Sequence, residues 1–350
     1  MKSIRLFLIV VLFSTISVFS QQKKYLIRTV AFYNLENLFD TINDPQKLDE
    51  RSPIMEMNAK KRGKAYLDKL DNMAKVISEI GKEKAHTAPA IIGVSEIENK
   101  QVLEDLVHNE KLKKLHYGVI HYDSPDARGI DVALLYQKRY FKPISSKTYE
   151  LKLRGTDGKP YATRDQLLVT GMLDDELIHV IVNHWPSRRG GEQKSRPSRE
   201  KAAALTLKII EDVKKEYPNP KIIIMGDLND DPINSSLRKI LHTKAKKSDV
   251  KDGGIYNPMN DMFRRGLSTL GYRDNINLFD QIMVTSPLVT TKKDFSTYKL
   301  YKANIFNPRY LTQKTGRYKG YPFRSWGGGD FTGGYSDHYP VYIYLLKEKK

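Results

Sequence analysis

Short apolar runs alternate with amphipathic stretches over most of the chain. Nine runs have the length and β-branched content of buried strands rather than helices: residues 25–34, 90–96, 117–122, 130–136, 166–172, 177–183, 221–227, 278–285 and 341–346. Between them, Leu67, Leu70, Ala74 and Ile77 recur at three- and four-residue spacing with Lys and Asp opposite, which predicts a helix with one face on a sheet. Val102, Leu103 and Leu106 open a shorter helix. Ala203, Leu207, Ile210 and Val213 mark a third, with Ser198 as its N-cap after Pro197. Strands outnumber helices, and the connections mix hairpin and helix lengths. The predicted class is therefore α+β or layered α/β, not a doubly wound sheet. Residues 40–62 and 301–334 are long irregular stretches, where function is expected to concentrate. No internal repeat is visible.

The first twenty residues follow a different pattern. Lys2 and Arg5 precede an unbroken apolar run at 6–13, and Val18 and Ser20 suit cleavage before Gln21. That layout predicts a secretory signal peptide over 1–20 and a single domain over 21–350, secreted or periplasmic. The run is too short to span a bilayer, which takes about 20 apolar residues.

Composition narrows the chemistry. With no cysteine in 350 residues, a disulfide scaffold, thiol catalysis, Cys-type zinc sites and iron–sulfur sites are excluded. Mean hydropathy of −0.53 excludes a polytopic membrane protein. The chain carries +18, and +16 without the leader, an excess that attracts polyanions such as nucleic acid or anionic lipid.

Several strands end on polar residues of one kind. The first runs into Asn34, the second into Glu96, another into His184, another into Asp227 and Asn229, and Asp337-His338 precedes the last. If these ends share a rim, it holds carboxylates, amides and imidazoles. Such a set suits a hard divalent cation with oxygen ligands, and two histidines for proton transfer near neutral pH. Asp227 and Asn229 are two residues apart, so in extended backbone both project to one side.

In this order the blocks resemble the endonuclease/exonuclease/phosphatase superfamily. They are Asn34, Ile92-Gly93-Val94-Ser95-Glu96, Asn183-His184-Trp185-Pro186, Gly226-Asp227-Leu228-Asn229-Asp230, Phe279-Asp280-Gln281-Ile282 and Ser336-Asp337-His338. The resemblance spans nearly the whole mature chain. It implies a four-layer α/β/β/α sandwich of two mixed sheets flanked by helices, and metal-dependent cleavage of phosphoester bonds. It further implies Glu96 as the metal carboxylate, with Asn34 and Asp337 in support. Asp227 and Asn229 orient water and phosphate, His338 contacts the phosphate and Asp280 orients His338. His184 is the second histidine, with Asp131 as its acid. Arg164 contacts phosphate, and Arg128 adds charge to the rim. The expected cofactor is Mg²⁺, with Mn²⁺ or Ca²⁺ as alternatives.

Fold does not settle substrate. The charge favours a non-specific nuclease acting on DNA or RNA as a monomer without a stable protein partner. Between 309 and 326, cations alternate with aromatics up to Arg324 and Trp326, a pattern expected to hold phosphates and stack bases. The alternative is a phosphatase or phosphodiesterase acting on a phospholipid head group, an inositol phosphate or another small phosphorylated molecule.

Overall fold

The computed structural model describes residues 23–155 and 158–349; the expected signal peptide lies outside them. Two six-stranded mixed sheets form the centre. One runs Lys299–Ile305, Val341–Glu348, Tyr25–Leu38, Ile91–Ile97, Asp131–Gln137, Tyr117–His121. The other runs Ile255–Tyr256, Asp280–Thr285, Ile222–Asp227, Glu176–His184, Gln166–Leu173, Phe141–Tyr149.

Side-chain alternation along the strands builds the layers. In Tyr25–Leu38, Val30 and Phe32 point to the core between the sheets, where they join Val180, Val182, Ile223, Met225 and Ile282. Ala31, Tyr33 and Leu35 point the other way and pack on Met73, Ile77, Leu103 and Leu106 of helices Ala59–Glu79 and Lys100–His108. On the far side of the second sheet, Ile181, Ile222 and Ile224 pack on Ala203, Ile209, Ile210 and Val213 of helix Glu192–Glu216. Three cores thus separate four layers, the expected α/β/β/α sandwich of α+β class.

The structure corrects the reading in several places. Leu67 is 65% exposed, while Lys69 on the same helix is fully buried, because the 323–337 segment covers that turn: Lys69 Nζ donates to Ser325 Oγ at 2.6 Å. The third helix starts at Glu192, not after Pro197, so Ser198 is not its N-cap. Its first turns are held from outside: Arg199 is buried, and its Nε donates to Asp230 Oδ1 at 2.6 Å. Strands Phe141–Tyr149 and Lys299–Ile305 escape the periodicity argument, since both are half-exposed and rich in polar residues.

Candidate active site

Register brings the strand ends together. Asp227 pairs laterally with His184 on one side and with Asp280 on the other. Gly226 makes this possible, for a Cβ there would collide with the Asn183 backbone. On the first sheet Asn34 lies opposite Ser95, and the register breaks between Ser95 and Ile97. Glu96 sits in that bulge with φ of 57°, which turns its carboxylate out of the sheet toward the second sheet's strand ends.

Asn34 joins the two sheets chemically. Its Nδ2 donates to Glu96 Oε1 at 3.1 Å and to Asp227 Oδ2 at 3.2 Å. The backbone amide of Asn37 donates to Glu96 Oε2 at 3.2 Å. Asp227 Oδ1 accepts from the Asn229 amide at 3.0 Å, while Asn229 Nδ2 donates to the Trp185 carbonyl at 3.0 Å. Burial, with Asp280 and Glu96 adding, pushes the Asp227 carboxyl up to about 7, against the pull of His338.

The two histidines take opposite electrostatic states. Burial disfavours charge on His338, but Asp280, Asp227 and Asp337 together hold its pKa well above the ordinary value. Its Nδ1 meets Asp280 Oδ2 at 2.7 Å. His184 is pushed well below the ordinary value, first by burial and then by Arg164, Arg128 and His338. At neutral pH His338 is an imidazolium and His184 a neutral ring, environments split as acid–base pairs require. His184 Nε2 lies 3.7 Å from Asp227 Oδ2 and 3.9 Å from Glu96 Oε1. His338 Nε2 lies 3.9 Å from both Asp227 Oδ2 and Asp337 Oδ1. These gaps are too long for hydrogen bonds and leave room for a substrate oxygen to touch both partners.

One pairing differs from expectation. Asp131 does not serve His184: its Oδ2 is 2.9 Å from His121 Nε2, and Oδ1 takes the Ser124 amide at 2.8 Å. His184 Nδ1 is buried with no hydrogen-bond partner. Asp131 sits at the start of its strand opposite Ile97, so its carboxylate turns into the 122–130 loop.

The expected substrate-binding residues separate by exposure. Arg164 is buried, with NH1 on Asp126 Oδ2 at 3.3 Å and NH2 on the Trp185 carbonyl at 2.6 Å. Its charge helps to push the His184 pKa down. The Arg128 side chain is 54% exposed and leans on Asp126 at 3.4 Å, so it can meet an anion. Trp326 is only 6% exposed, and its Nε1 donates to the Glu36 carbonyl at 2.9 Å, so the expected base stacking is excluded. Arg324 bridges Glu36 Oε1 at 3.4 Å and Asp337 Oδ2 at 3.0 Å. Glu36 and Lys69 were missed by sequence reasoning. Burial raises the Glu36 carboxyl and lowers the Lys69 ammonium. Helical spacing places Lys69 on the buried face, four residues from Ala65 and Met73 and seven from Val76; its charge hides that signal.

The donor set tests well for a divalent cation. Glu96, His184 and Asp227 offer ligand atoms within one group, as do Asp227, Asp280 and His338. Glu96 keeps 20% of its side chain open to solvent. Glu96 and Asp227, which share the Asn34 amide, would hold the ion, which would supply charge neutralisation at a phosphoryl oxygen; Asp337, expected beside Glu96, lies in neither group. The chain itself supplies the groups around the ion: the Asp227 carboxylate, His184 Nε2 at 3.7 Å from that carboxylate and His338 Nε2 at 3.9 Å.

A sequence profile described as "Endonuclease/Exonuclease/phosphatase family" matches residues 29–347. The chain belongs to this family. Its enzymes are divalent-metal-dependent hydrolases of phosphoester bonds. The fold resembles truncated Caenorhabditis elegans TDP2, at 16% identity, TM-score 0.54, covering 91% of this chain and 97% of that one. It also resembles a mannosyl-6-phosphatase from Bacteroides thetaiotaomicron, at 16% identity, TM-score 0.52, covering 91% and 99%. TDP2 from D. rerio, solved with a single-strand DNA product, shares 11% identity and a TM-score of 0.51, covering 91% and 98%. At these identities the likeness is one of fold. No curated protein matches the sequence significantly.

Proposed function

We propose that the chain is an exported phosphodiesterase that uses Mg²⁺ to hydrolyse DNA or RNA without base specificity. The observation that carries the polyanion reading is an exposed cation–aromatic rim beside the catalytic pair. The hairpin of strands Leu270–Tyr272 and Asn275–Asn277 leads directly into Asp280. Tyr272 at its tip is 61% exposed with Arg273 over its ring at 5.2 Å. Tyr318 is 50% exposed with Arg317 at 5.9 Å, and Tyr321 joins the two segments by accepting the Asp274 amide at 2.8 Å. Aromatic faces flanked by cations stack bases and hold phosphates without reading sequence. The charge of +16 outside the leader supports the same substrate. Export rests on the leader's charge and apolar run, and a monomer on a centre assembled within one chain.

A second reading, a phosphatase for a small phosphorylated molecule, is favoured by the buried Trp326 and by the fold likeness to a mannosyl-6-phosphatase. Purified mature protein incubated with supercoiled plasmid, single-stranded RNA and a sugar phosphomonoester, with Mg²⁺, Mn²⁺, Ca²⁺ or EDTA, separates the two. Nicking of plasmid or shortening of RNA in Mg²⁺ supports the first. Phosphate release with intact nucleic acid establishes the second.

A further inference from the structure

Arg188 stands four residues beyond His184 and has none of the roles described so far. Its guanidinium nevertheless joins the three strand ends of the second sheet that carry His184, Asp227 and Asp280. Nε donates to the Asn229 carbonyl at 3.0 Å, two residues past Asp227. Nη2 donates to Asp230 Oδ1 at 3.3 Å, Asp231 Oδ2 at 3.2 Å and Asn234 Oδ1 at 3.2 Å. The group also lies over the Phe279 ring, 4.4 Å from its centre and one residue before Asp280. The Leu228 amide closes the same junction by donating to the Phe279 carbonyl at 2.9 Å.

Charge balance does not require this contact. Asp230 already accepts from Arg199 Nε and Ser236 Oγ, each at 2.6 Å. Asp231 already accepts from the Leu278 amide at 2.8 Å and Asn277 Nδ2 at 3.0 Å. The Asn229 carbonyl is different: among the described residues, Arg188 Nε is its only donor. Asn229 has φ of 50°, in the left-handed region, so no regular ladder holds it and its neighbours must. Its amide holds Asp227 Oδ1 at 3.0 Å. A planar guanidinium can bind a carbonyl and a carboxylate while lying on a ring, which a point-charge ammonium cannot.

We propose that Arg188 is a positioning residue, which locks the His184, Asp227 and Asp280 strand ends together and sets the Asn229 turn whose amide holds the Asp227 carboxylate. The proposal rests on the phosphoester hydrolysis common to the family and on neither choice of substrate. A displacement of about 1 Å at such a carboxylate costs about 10²-fold in rate.

The test compares wild type with Arg188→Ala and Arg188→Lys on a small chromogenic phosphodiester, plasmid DNA and a sugar phosphomonoester, and follows amide hydrogen exchange of all three proteins in EDTA. Arg188→Ala should lose about 10²-fold in kcat with KM within about threefold, and recover part of it in added guanidinium. Arg188→Lys should stay at least about tenfold below wild type, because charge alone does not replace the fork. Amides of residues 227–231 and 278–281 should exchange at least about tenfold faster in both variants, while Tm falls by only a few degrees. The exchange measurement needs no substrate and no metal, so it fails separately from the functional reading. Unchanged exchange at those amides overturns the proposal. So does full turnover in Arg188→Lys, or a raised KM at unchanged kcat in Arg188→Ala, which would make Arg188 a substrate contact. If Arg188→Ala does not fold, the turnover and exchange of Arg188→Lys decide by the same criteria.

Discussion

His338 Nδ1 and Asp280 Oδ2 lie 2.7 Å apart, with 8% and 1% of their side chains exposed. The pair joins residues 58 positions apart in sequence. A carboxylate sealed against an imidazole fixes both the ring's orientation and its charge, as in other acid–base pairs.

A pH dependence follows from that pair. The folded-state pKa of His338 is raised, so its proton contributes stability fully below the ordinary histidine value, and that contribution is lost as pH rises through the folded value. Activity that needs the imidazolium falls over the same alkaline range. In Asp280→Asn the alkaline limb of kcat/KM should move to lower pH, and turnover should drop about 10²-fold or more. Rate profiles and melting temperatures against pH check this. An unmoved limb would detach His338 from Asp280.

His184 and Asp131 should behave independently. His184→Ala should lower turnover about 10²-fold, since the neutral ring sits between Glu96 and Asp227. Asp131→Asn should leave turnover within about tenfold but lower stability by about 1–3 kcal/mol, because His121 and Ser124 lose a buried acceptor. Equal losses of turnover in both variants would restore the pairing that the geometry denies.

Glu96→Gln should reduce kcat/KM at least about a hundredfold, or about 2.7 kcal/mol of barrier, with partial recovery at high metal. Its bulged position gives the carboxylate two anchoring donors, Asn34 and Asn37, and an open face. Titrating activity with Mg²⁺ in both proteins measures it; an identical metal curve would remove Glu96 from the metal site.

The aromatic residues near 320 should divide by burial. Trp326→Ala should destabilise the fold by about 3–5 kcal/mol. It should leave the salt dependence of nucleic-acid binding alone, because the ring packs on Phe331 at 5.6 Å. Arg317→Ala and Lys319→Ala should each flatten the slope of log affinity against log salt by about 0.7 to 0.9. Tyr318→Ala should cost about 1–3 kcal/mol on single strands if its exposed face stacks a base. Binding measured by anisotropy at several salt concentrations decides, and slopes that stay at the wild-type value would count against a nucleic-acid substrate.

The sequence alone determined the strands, the helices and the order of chemical positions, while the four layers were implied by the family resemblance. Continuous apolar runs of strand length such as 25–34, and helical spacing at Leu70, Ala74 and Ile77, are local features of the chain, so they read directly. The polar residues at strand ends were legible because an apolar run that stops at Asn34, Glu96, His184 or Asp227 has few structural reasons to do so repeatedly. What only the tertiary structure decided was which groups meet. Asp131 faces His121 rather than His184, Trp326 turns inward onto Glu36, and Lys69 is buried although it is a lysine. The last two depend on the 323–337 segment crossing onto elements some 250 residues away or more, and the first on which neighbour of a strand end its carboxylate turns toward. Burial and charge there are set by what covers a side chain, and no local periodicity carries that information.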